Sequence, residues 1–426
     1  MSINACIDGW NLALPNGSGI ATYGHTLLNG LADAGISGQV LYAPSTSRQP
    51  SAIMDETALI AHSNSARRGG KLRALSTLTA RFGRAAYPVH FSKEVIWPSQ
   101  GMAHPNATHL WASREIYPLA IRAFQNYGHF TPISFRPENG EKIPDVMHLT
   151  CPIPLHAPQC ANILTIHDTI PLKLPASTRD NKEKYFSLLK QSCDKSDHIL
   201  CITESTKNDL LKYVDIKEEK ITVTYQPSII TDAKDDNRDD LCSDFGILPK
   251  EYFLFYGAIE PKKNLGRIVE AYLMSATKSP LVVVGGRSWL SEHETGLLNS
   301  VVTYGNRPII QLDYLPRSAL SRLIKNARAV LFPSLHEGFG LPVLEAMNMG
   351  TPVLTSRGGA LEEVAGDAAE LVSPWDVSDI CRGLRALDSD ESYRNELSIK
   401  GIERAKMFSA ERYAKTIRQV YDKIGI

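Results

Sequence analysis

Neither sign of charge prevails in this chain of 426 residues, which contains 46 lysines and arginines and 46 aspartates and glutamates. No overall field recruits nucleic acid, so we expect no nucleic-acid partner. No apolar run reaches the roughly 18 residues that a membrane-spanning helix needs. The first residues enter a strand-like segment without the basic start and apolar stretch of a secretory signal. These absences predict a cytoplasmic protein that meets any membrane only at its surface.

Paired cysteines are also lacking. The seven cysteines are odd in number, and none belongs to a C-x-x-C pair. This pattern argues against a zinc or redox site and favours free thiols in a reducing cytosol.

The chain is long enough for two domains, with 43% apolar residues to fill their cores. Two domains imply a cleft between them.

The second half alternates short apolar runs with amphipathic stretches, a pattern typical of a parallel sheet covered by helices. We predict strands at 253–256, 281–284, 309–312, 329–332 and 353–355, and helices at 265–275 and 317–326. Asp376 and Asp379 resemble a capping box that opens a helix through about residue 387. A final amphipathic helix is predicted at about 410–423.

The first half has a similar but less regular pattern. Strand-like segments occur at 3–7, 39–42, 146–149, 162–166 and 198–203. Between the halves, 231–244 is polar and rich in aspartate, as expected for an exposed linker. The sequence therefore predicts an α/β protein with an N-terminal domain at 1–235, a C-terminal domain at 245–409 and a closing helix within 410–426.

One loop has the composition of an anion site. The segment 332–345, FPSLHEGFGLPVLE, follows a strand, passes through Gly338 and Gly340 and enters a helix. Glycines let backbone amides approach a ligand, and the amino end of a helix favours negative charge, so a diphosphate would fit there. Glu337 and Glu345 could then accept hydrogen bonds from sugar hydroxyls. Each glutamate alone would be explained as a solvated loop charge or a first-turn helix residue.

A second segment, 256–265 with the sequence YGAIEPKKNL, also lies between a strand and a helix. Its two lysines, Lys262 and Lys263, would stabilise charge on a departing diphosphate. The alternative is a pair of solvated lysines, although cations are disfavoured at the start of a helix.

Together, these two segments resemble family 4 of the glycosyltransferases, which have the GT-B fold. The first segment has the pattern E-x7-E with GFGLP between the two glutamates, and the second is the lysine segment. The resemblance implies two Rossmann-like domains facing across a cleft, with the last helix crossing back to the first domain. It also implies retention of anomeric configuration, no metal and no cofactor beyond a nucleotide-diphosphate sugar as co-substrate. Many relatives have an arginine where this chain has Ala258, so Lys263 matches the family's cation and Lys262 is the expected substitute.

The resemblance assigns roles to individual residues. The implied catalytic residues are His167, Lys263 and Glu337, and the implied donor-binding residues are Gly19, Lys262, Gly338, Phe339, Gly340, Leu341 and Glu345. Without the resemblance, the loop at 16–23 would be a plain tight turn, His167 a structural histidine and Asp168 a capping residue. The segment 203–206, TEST, also resembles the family, but helix capping explains it.

The acceptor half matches the family least. Its segment 67–93 carries seven cations and no acid among apolar residues, and could rest on anionic lipid or be a solvated helix face with its apolar side packed inward. The EPxKN form resembles branches that build bacterial surface polysaccharides such as O-antigen, often from GDP-mannose. We therefore expect a glycan or polyprenyl-diphosphate-linked acceptor at the inner face of the plasma membrane.

The sequence is also consistent with two other functions. One is a different enzyme of the same fold, such as a nucleotide-sugar epimerase or a phosphorylase. The other is a catalytically silent scaffold that binds nucleotide within a polysaccharide assembly. A glycosidase is disfavoured, because its two carboxyl groups must flank the scissile bond at a set separation and it has no need of a diphosphate site.

Overall fold

The computed structural model describes residues 3–13, 19–46, 51–60, 70–92, 94–97, 106–138, 140–228, 246–286, 294, 296–300, 309–313 and 315–424. These residues form two separate sheets, one from each half of the chain. The predicted linker at 231–244 lies outside the described residues. The domain limits at 235 and 245 therefore stay a prediction.

The first sheet has ten strands in the order β10-β9-β8-β6-β1-β2-β4-β3-β5-β7. Its central strands are parallel, and β3 runs antiparallel to β4. The strands are β1 Asn4–Asp8, β2 Ser37–Tyr42, β3 Arg84–Val89, β4 His109–Ala112, β5 Thr131–Phe135, β6 Val146–Leu149, β7 Leu155–His156, β8 Ala161–Ile166, β9 His198–Cys201 and β10 Ile221–Val223.

The second sheet has six parallel strands in the order β13-β12-β11-β14-β15-β16. Nearly all of their residues are buried, as expected for a parallel sheet covered on both faces. The strands are β11 Phe253–Tyr256, β12 Leu281–Val284, β13 Ile309–Leu312, β14 Ala329–Phe332, β15 Val353–Ser356 and β16 Glu370–Val372.

Helices cover both sheets. Those of the first half are α1 Gly19–Asp33, α2 Ala52–Ile60, α3 Gly70–Leu78, α4 Ile116–Tyr127, α5 Ile170–Lys173, α6 Lys182–Lys195 and α7 Glu204–Tyr213. Those of the second half are α8 Leu265–Ser275, α9 Arg317–Asn326, α10 Leu341–Asn348, α11 Gly359–Ala365, α12 Val377–Ser389, α13 Glu391–Ala405 and α14 Ala410–Lys423. None of the described helices is both long and apolar enough to cross a bilayer.

The α/β fold is confirmed, including every strand predicted in the second half. The strand predicted at 198–203 ends at Cys201, because Thr203 caps α7 by accepting a hydrogen bond from the Thr206 amide. The capping box at α12 is only half formed. Asp376 caps the helix through the Ser378 amide, whereas Asp379 accepts from the amide of Ser373.

The closing helix α14 returns to the first sheet, where it packs against α1. Its Tyr421 hydroxyl lies 2.8 Å from Nδ1 of His148 on β6, and Nε2 of that histidine lies 2.8 Å from Thr165 Oγ1 on β8. Burial, with a smaller contribution from the neighbouring His167, lowers the pKa of His148 to about 3, so the ring is neutral at physiological pH. This buried network fixes the end of the chain to the first domain, as the resemblance implied.

The basic segment 67–93 is not one amphipathic helix. Its described part forms α3, a 3₁₀ turn and β3. Arg84 is partly buried and donates to the carbonyl oxygens of Ser76, Thr79 and Gly83, so its guanidinium binds the end of α3. The apolar side chains of Leu75 and Phe82 are exposed by 59% and 75%. The expectation of an apolar side packed inward is therefore wrong for these residues.

Candidate donor site between the two sheets

The loop after β14 brings the two glutamates into a buried site. Strand β14 ends at Phe332, and α10 begins after Gly340, which has a φ of 99°. A side chain at this position would be strained by that φ and would also meet Leu361 at 2.4 Å, so glycine is required. Glu337 and Glu345 are each only 8% exposed. The interpretation of either residue as a solvated charge is therefore excluded.

The lysine segment lies directly against this loop. The Lys263 ammonium is 2.7 Å from Glu337 Oε1 and lies over the ring of Phe332. The Lys262 ammonium is 3.4 Å from Glu260 and 4.0 Å from Glu337 Oε2. The structure therefore joins the two segments that carried the sequence prediction into one cluster.

Mutual attraction keeps Glu337 and Lys262 ionised despite their burial. Burial alone would raise the pKa of Glu337, but Lys263 and Lys262 hold it below its usual value. Burial would lower the pKa of Lys262, yet Glu337, Glu260 and Asp168 together raise it. A buried charge is tolerated only when it is paired. The site thus holds two lysine side chains against two carboxylates, Glu260 and Glu337, before any ligand arrives.

Glu345 has a different electrostatic state. It lies in the first turns of α10, and its Oε2 is 2.9 Å from the Tyr256 hydroxyl at the end of β11. Burial raises the pKa of Glu345 to about 7, although Tyr256 and Arg317 act in the opposite direction. Arg317 also reaches Thr22 in the first turns of α1, at 3.4 Å. Sequence reasoning missed Arg317, which lies between Glu345 and the first domain.

His167 follows β8 on the opposite side of the site. Its Nε2 lies 2.8 Å from the Thr150 carbonyl oxygen, which can only accept, so Nε2 carries the proton of the neutral ring. Burial lowers the pKa of His167 and favours that neutral form. The ring therefore presents Nδ1 as an acceptor. Asp168 caps the next turn by accepting from the Ile170 amide, in agreement with its structural interpretation.

The two halves touch at the backbones of His167 and Gly338. A β-carbon on Gly338 would lie 2.0 Å from the His167 carbonyl oxygen, so any larger residue would separate the loops. The Thr203 hydroxyl donates to the Gly338 carbonyl at 2.9 Å, and the Thr206 hydroxyl donates to the His167 carbonyl at 3.0 Å. These two threonines hold the two loops together.

A carboxylate reinforces this contact. Glu363 on α11 accepts hydrogen bonds from the amides of Glu204 and Ser205 at 2.7 and 2.8 Å, which satisfies the amino end of α7 across the junction. The segment TEST therefore caps its helix, as predicted, and also joins the halves. Helix capping alone did not reveal this second role, although the resemblance to the family was a signal for it.

The remaining predicted residues are less directly placed. The Phe339 ring packs against Phe408, which leaves only its backbone for a ligand, and Leu341 begins α10. Gly19 begins α1, and its position has open space around it. Gly17 lies outside the described residues. Donor contacts by Gly19, Phe339 and Leu341 stay predictions.

A cavity of about 320 Å³ opens beside the cluster, within the range of small-molecule sites. Glu337 and His336 line it from the second half and Lys173 from the first. Asp209 joins these walls, since its Oδ2 is 2.6 Å from Lys173 and 3.5 Å from His336. In the part of the chain that the structure describes, no three His, Cys, Asp or Glu side chains are grouped to hold a metal ion.

Two α/β units with a buried charged cluster where they meet define a GT-B-like α/β architecture, and in such folds ligands bind at the carboxyl ends of the strands. The family follows from comparison with known proteins. Residues 17–227 match the model of Glycosyltransferase Family 4, and residues 243–404 match that of Glycosyl transferases group 1. The chain belongs to these glycosyltransferases.

Relatives and solved structures agree with this family. The chain is 29% identical over 263 residues to O-antigen chain mannosyltransferase B of Escherichia coli, covering 58% of this chain and 67% of that protein. It is 29% identical over 290 residues to the serotype-specific mannosyltransferase WbdA of Escherichia coli, covering 61% of this chain and only 33% of the relative. Sucrose-phosphate synthase from Thermosynechococcus elongatus has the same GT-B fold, with a TM-score of 0.69 at 15% identity and coverage of 100% and 99%.

The raised pKa of Glu345 predicts a pH-dependent stability. The folded state retains the proton up to about pH 7, whereas the unfolded chain releases it near pH 4.3. Stability should therefore fall as pH rises through this interval, by on the order of 1–3 kcal/mol from this group. The substitution Glu345→Gln should remove that loss. The difference in unfolding free energy between the variant and wild type should therefore be more favourable to the variant at pH 8 than at pH 5.

Urea denaturation at both pH values measures this difference. Glu396→Gln, on an exposed surface of α13, is the matched control and should change stability equally at both pH values. If Glu345→Gln changes the free energy of unfolding equally at both pH values, as the control should, burial does not raise the pKa of Glu345.

Proposed function

We propose that this chain transfers mannose, with retention of configuration, from GDP-mannose to a glycan or polyprenyl-diphosphate-linked acceptor of a bacterial surface polysaccharide. The observation that carries this proposal is the buried contact of Lys263 with Glu337 at the amino end of α10. The names of the Escherichia coli mannosyltransferases support the choice of sugar and pathway.

The leaving diphosphate would bind at the amino end of α10. Backbone amides from Gly338 to Leu341 would face its oxygens, with Lys262 and Lys263 beside them. Because the pKa of Lys262 is raised, its ammonium stays charged during turnover. Negative charge grows on the diphosphate as the glycosidic bond breaks, and fixed cations stabilise that charge without reorganising. We propose that they replace a metal ion and that no cofactor is needed.

The sugar would lie between Glu337 and His167. The ionised Glu337 carboxylate can accept hydrogen bonds from sugar hydroxyls, and Nδ1 of His167 can accept one from the other side. The bond between the anomeric carbon and the phosphate oxygen breaks while the acceptor oxygen bonds to the same face. The acceptor proton passes to the departing phosphate oxygen, which balances the reaction without a protein nucleophile.

Direct contact between the halves would keep water out of this reaction. Thr203 and Thr206 join the two loops that carry His167 and Gly338, and Glu363 binds the amino end of α7 across the same junction. Excluding water strengthens each electrostatic interaction in the site and limits hydrolysis of the donor.

The donor and stereochemistry can be tested together. Incubation with GDP-mannose, UDP-hexoses and dTDP-rhamnose should release nucleoside diphosphate most rapidly from GDP-mannose when a mannose-containing acceptor is present. NMR of the product should show the same anomeric configuration as the donor. A product with inverted anomeric configuration would contradict the proposed retaining reaction. Faster release of nucleoside diphosphate from another donor would contradict the choice of GDP-mannose.

Removal of the Lys263 charge should weaken donor binding. A hydrogen bond to a charged group contributes about 1.5–3 kcal/mol, so we expect Lys263→Ala to raise the GDP dissociation constant roughly 10- to 100-fold. Calorimetric titration measures this constant, and circular dichroism checks the fold. Lys406→Ala, on an exposed surface, is the charge-matched control. An unchanged GDP dissociation constant in Lys263→Ala would show that the diphosphate does not bind at Lys263.

We also propose that the segment 67–93 contacts the inner face of the plasma membrane. Phe82 and Leu75 expose apolar surface beside Arg81, whose guanidinium lies over the Phe82 ring. Basic residues near anionic lipid contribute about 1 kcal/mol each. In liposome flotation, the protein should float with anionic vesicles and less with neutral ones, and Phe82→Ser should reduce recovery. Equal recovery from both vesicle types would remove the membrane proposal.

A further inference from the structure

A buried aromatic ring, that of Tyr23 on α1, lies against His167. The two rings meet edge to face, with 4.7 Å between their centroids and 88° between their planes. Aromatic pairs prefer this geometry. Tyr23 is fully buried, whereas His167 is partly exposed. A ligand in the cleft can therefore contact His167, but Tyr23 offers it no surface.

This ring contact limits a rotation that the hydrogen bond of His167 leaves open. Nε2 of His167 is held 2.8 Å from the Thr150 carbonyl oxygen. Rotation of the ring about its Cβ–Cγ bond moves Nδ1 further than Nε2, and this torsion has only broad minima in histidine. The hydrogen bond at Nε2 therefore sets the direction of Nδ1 only loosely. A second ring packed at nearly a right angle restricts the rotation.

The Tyr23 ring is itself anchored by a buried hydrogen-bond network. Its hydroxyl lies 2.9 Å from Thr165 Oγ1 on β8, and the same Oγ1 lies 2.8 Å from Nε2 of His148. Nδ1 of His148 is in turn 2.8 Å from the Tyr421 hydroxyl of α14. All four of these side chains are 0% exposed. Satisfied polar networks in a dry interior hold a defined geometry.

Filling space would not require a tyrosine at this position. A phenylalanine has the same ring, and a buried hydroxyl costs free energy unless it has a hydrogen-bond partner. The hydroxyl of Tyr23 has its partner in Thr165, two residues before His167. Tyr23 therefore contacts one short stretch of chain twice, through its hydroxyl at Thr165 and through its ring at His167.

We infer that Tyr23 is a positioning residue, which fixes the ring of His167 so that Nδ1 is directed at the donor sugar. This inference rests on the proposed function and deepens it. Tyr23 acts only through His167 and touches neither the sugar nor the diphosphate. Its replacement should therefore lower kcat and leave the affinity for GDP unchanged.

Two substitutions separate the hydroxyl from the ring. Tyr23→Phe removes only the hydrogen bond to Thr165, and kcat should fall about 2- to 10-fold, the usual net contribution of one hydrogen bond. Tyr23→Leu also removes the edge-to-face contact, and kcat should fall at least about 10-fold, because a small misplacement of a reacting group can cost about 100-fold. The GDP dissociation constant should stay unchanged in both variants.

Tyr272→Phe is the matched control. The Tyr272 hydroxyl is also buried, and it donates at 3.0 Å to the carbonyl of Ser279, which precedes β12 in the second half. Its loss should lower the free energy of unfolding about as much as Tyr23→Phe does, without a change in kcat. An unchanged kcat in both Tyr23 variants would overturn the inference.

A double-mutant cycle with His167→Ala distinguishes positioning from a purely structural role. If Tyr23 acts through His167, Tyr23→Leu should lower kcat by less than about 2-fold when residue 167 is already alanine. The full loss in that background would show that Tyr23 only supports the fold around the site, which contradicts the inference. Tyr23→Phe provides the same comparison if Tyr23→Leu does not fold.

NMR relaxation of the His167 ring gives a readout that needs no turnover. The order parameter of the ring carbons, assigned by the signals that His167→Ala lacks, should fall in Tyr23→Leu and keep its wild-type value in Tyr272→Phe. An equally rigid ring in Tyr23→Leu contradicts the inference. Failure of the proposed function gives a different result, because GDP binding and sugar transfer are then absent in wild type while the change in ring mobility remains.

Discussion

The buried contact between Lys263 and Glu337 is the interaction on which the site depends. Neither charge could remain in so dry a place alone, because an unpaired buried ion loses several kcal/mol of hydration energy. The pairing lowers the pKa of Glu337, and Lys262 lies beside the pair in the loop that leads into α10. The second half thus places positive charge and a carboxylate within one small volume, and we propose that the first binds phosphate and the second binds sugar hydroxyls. A phosphorylated sugar complements that arrangement.

The first half completes the site through its backbone as much as through its side chains. His167 is held as a neutral tautomer by the Thr150 carbonyl. The contact of its own carbonyl with Gly338, supported by Thr206, sets the distance between the halves. The closing helix α14 then ties the end of the second half to β6 and β8 through His148. Closure is therefore built from hydrogen bonds that require defined geometry.

The predictable features were those recorded in local sequence. Strands such as β11 and β14 are continuous apolar runs next to glycine or proline, so periodicity identified them to the residue. β3 was not predicted because it contains Pro88 and partly exposed residues. Its Arg84 has the sequence pattern of a surface cation, although its guanidinium donates to backbone carbonyls at the end of α3. The contact of Thr203 across 135 residues was not identified from its capping motif, because its partner, the Gly338 carbonyl, lies in the other half of the chain. Long-range pairing needs the folded chain.

The central claim is that a nucleoside diphosphate binds at the junction of the two sheets. A crystal structure of the chain soaked with GDP tests it most directly. We predict that the β-phosphate lies within hydrogen-bond distance of Lys263 and of the amides from Gly338 to Gly340, with the ribose near Glu345. A nucleotide bound with its phosphates away from Lys263, or on the outer face of either sheet, would contradict the account.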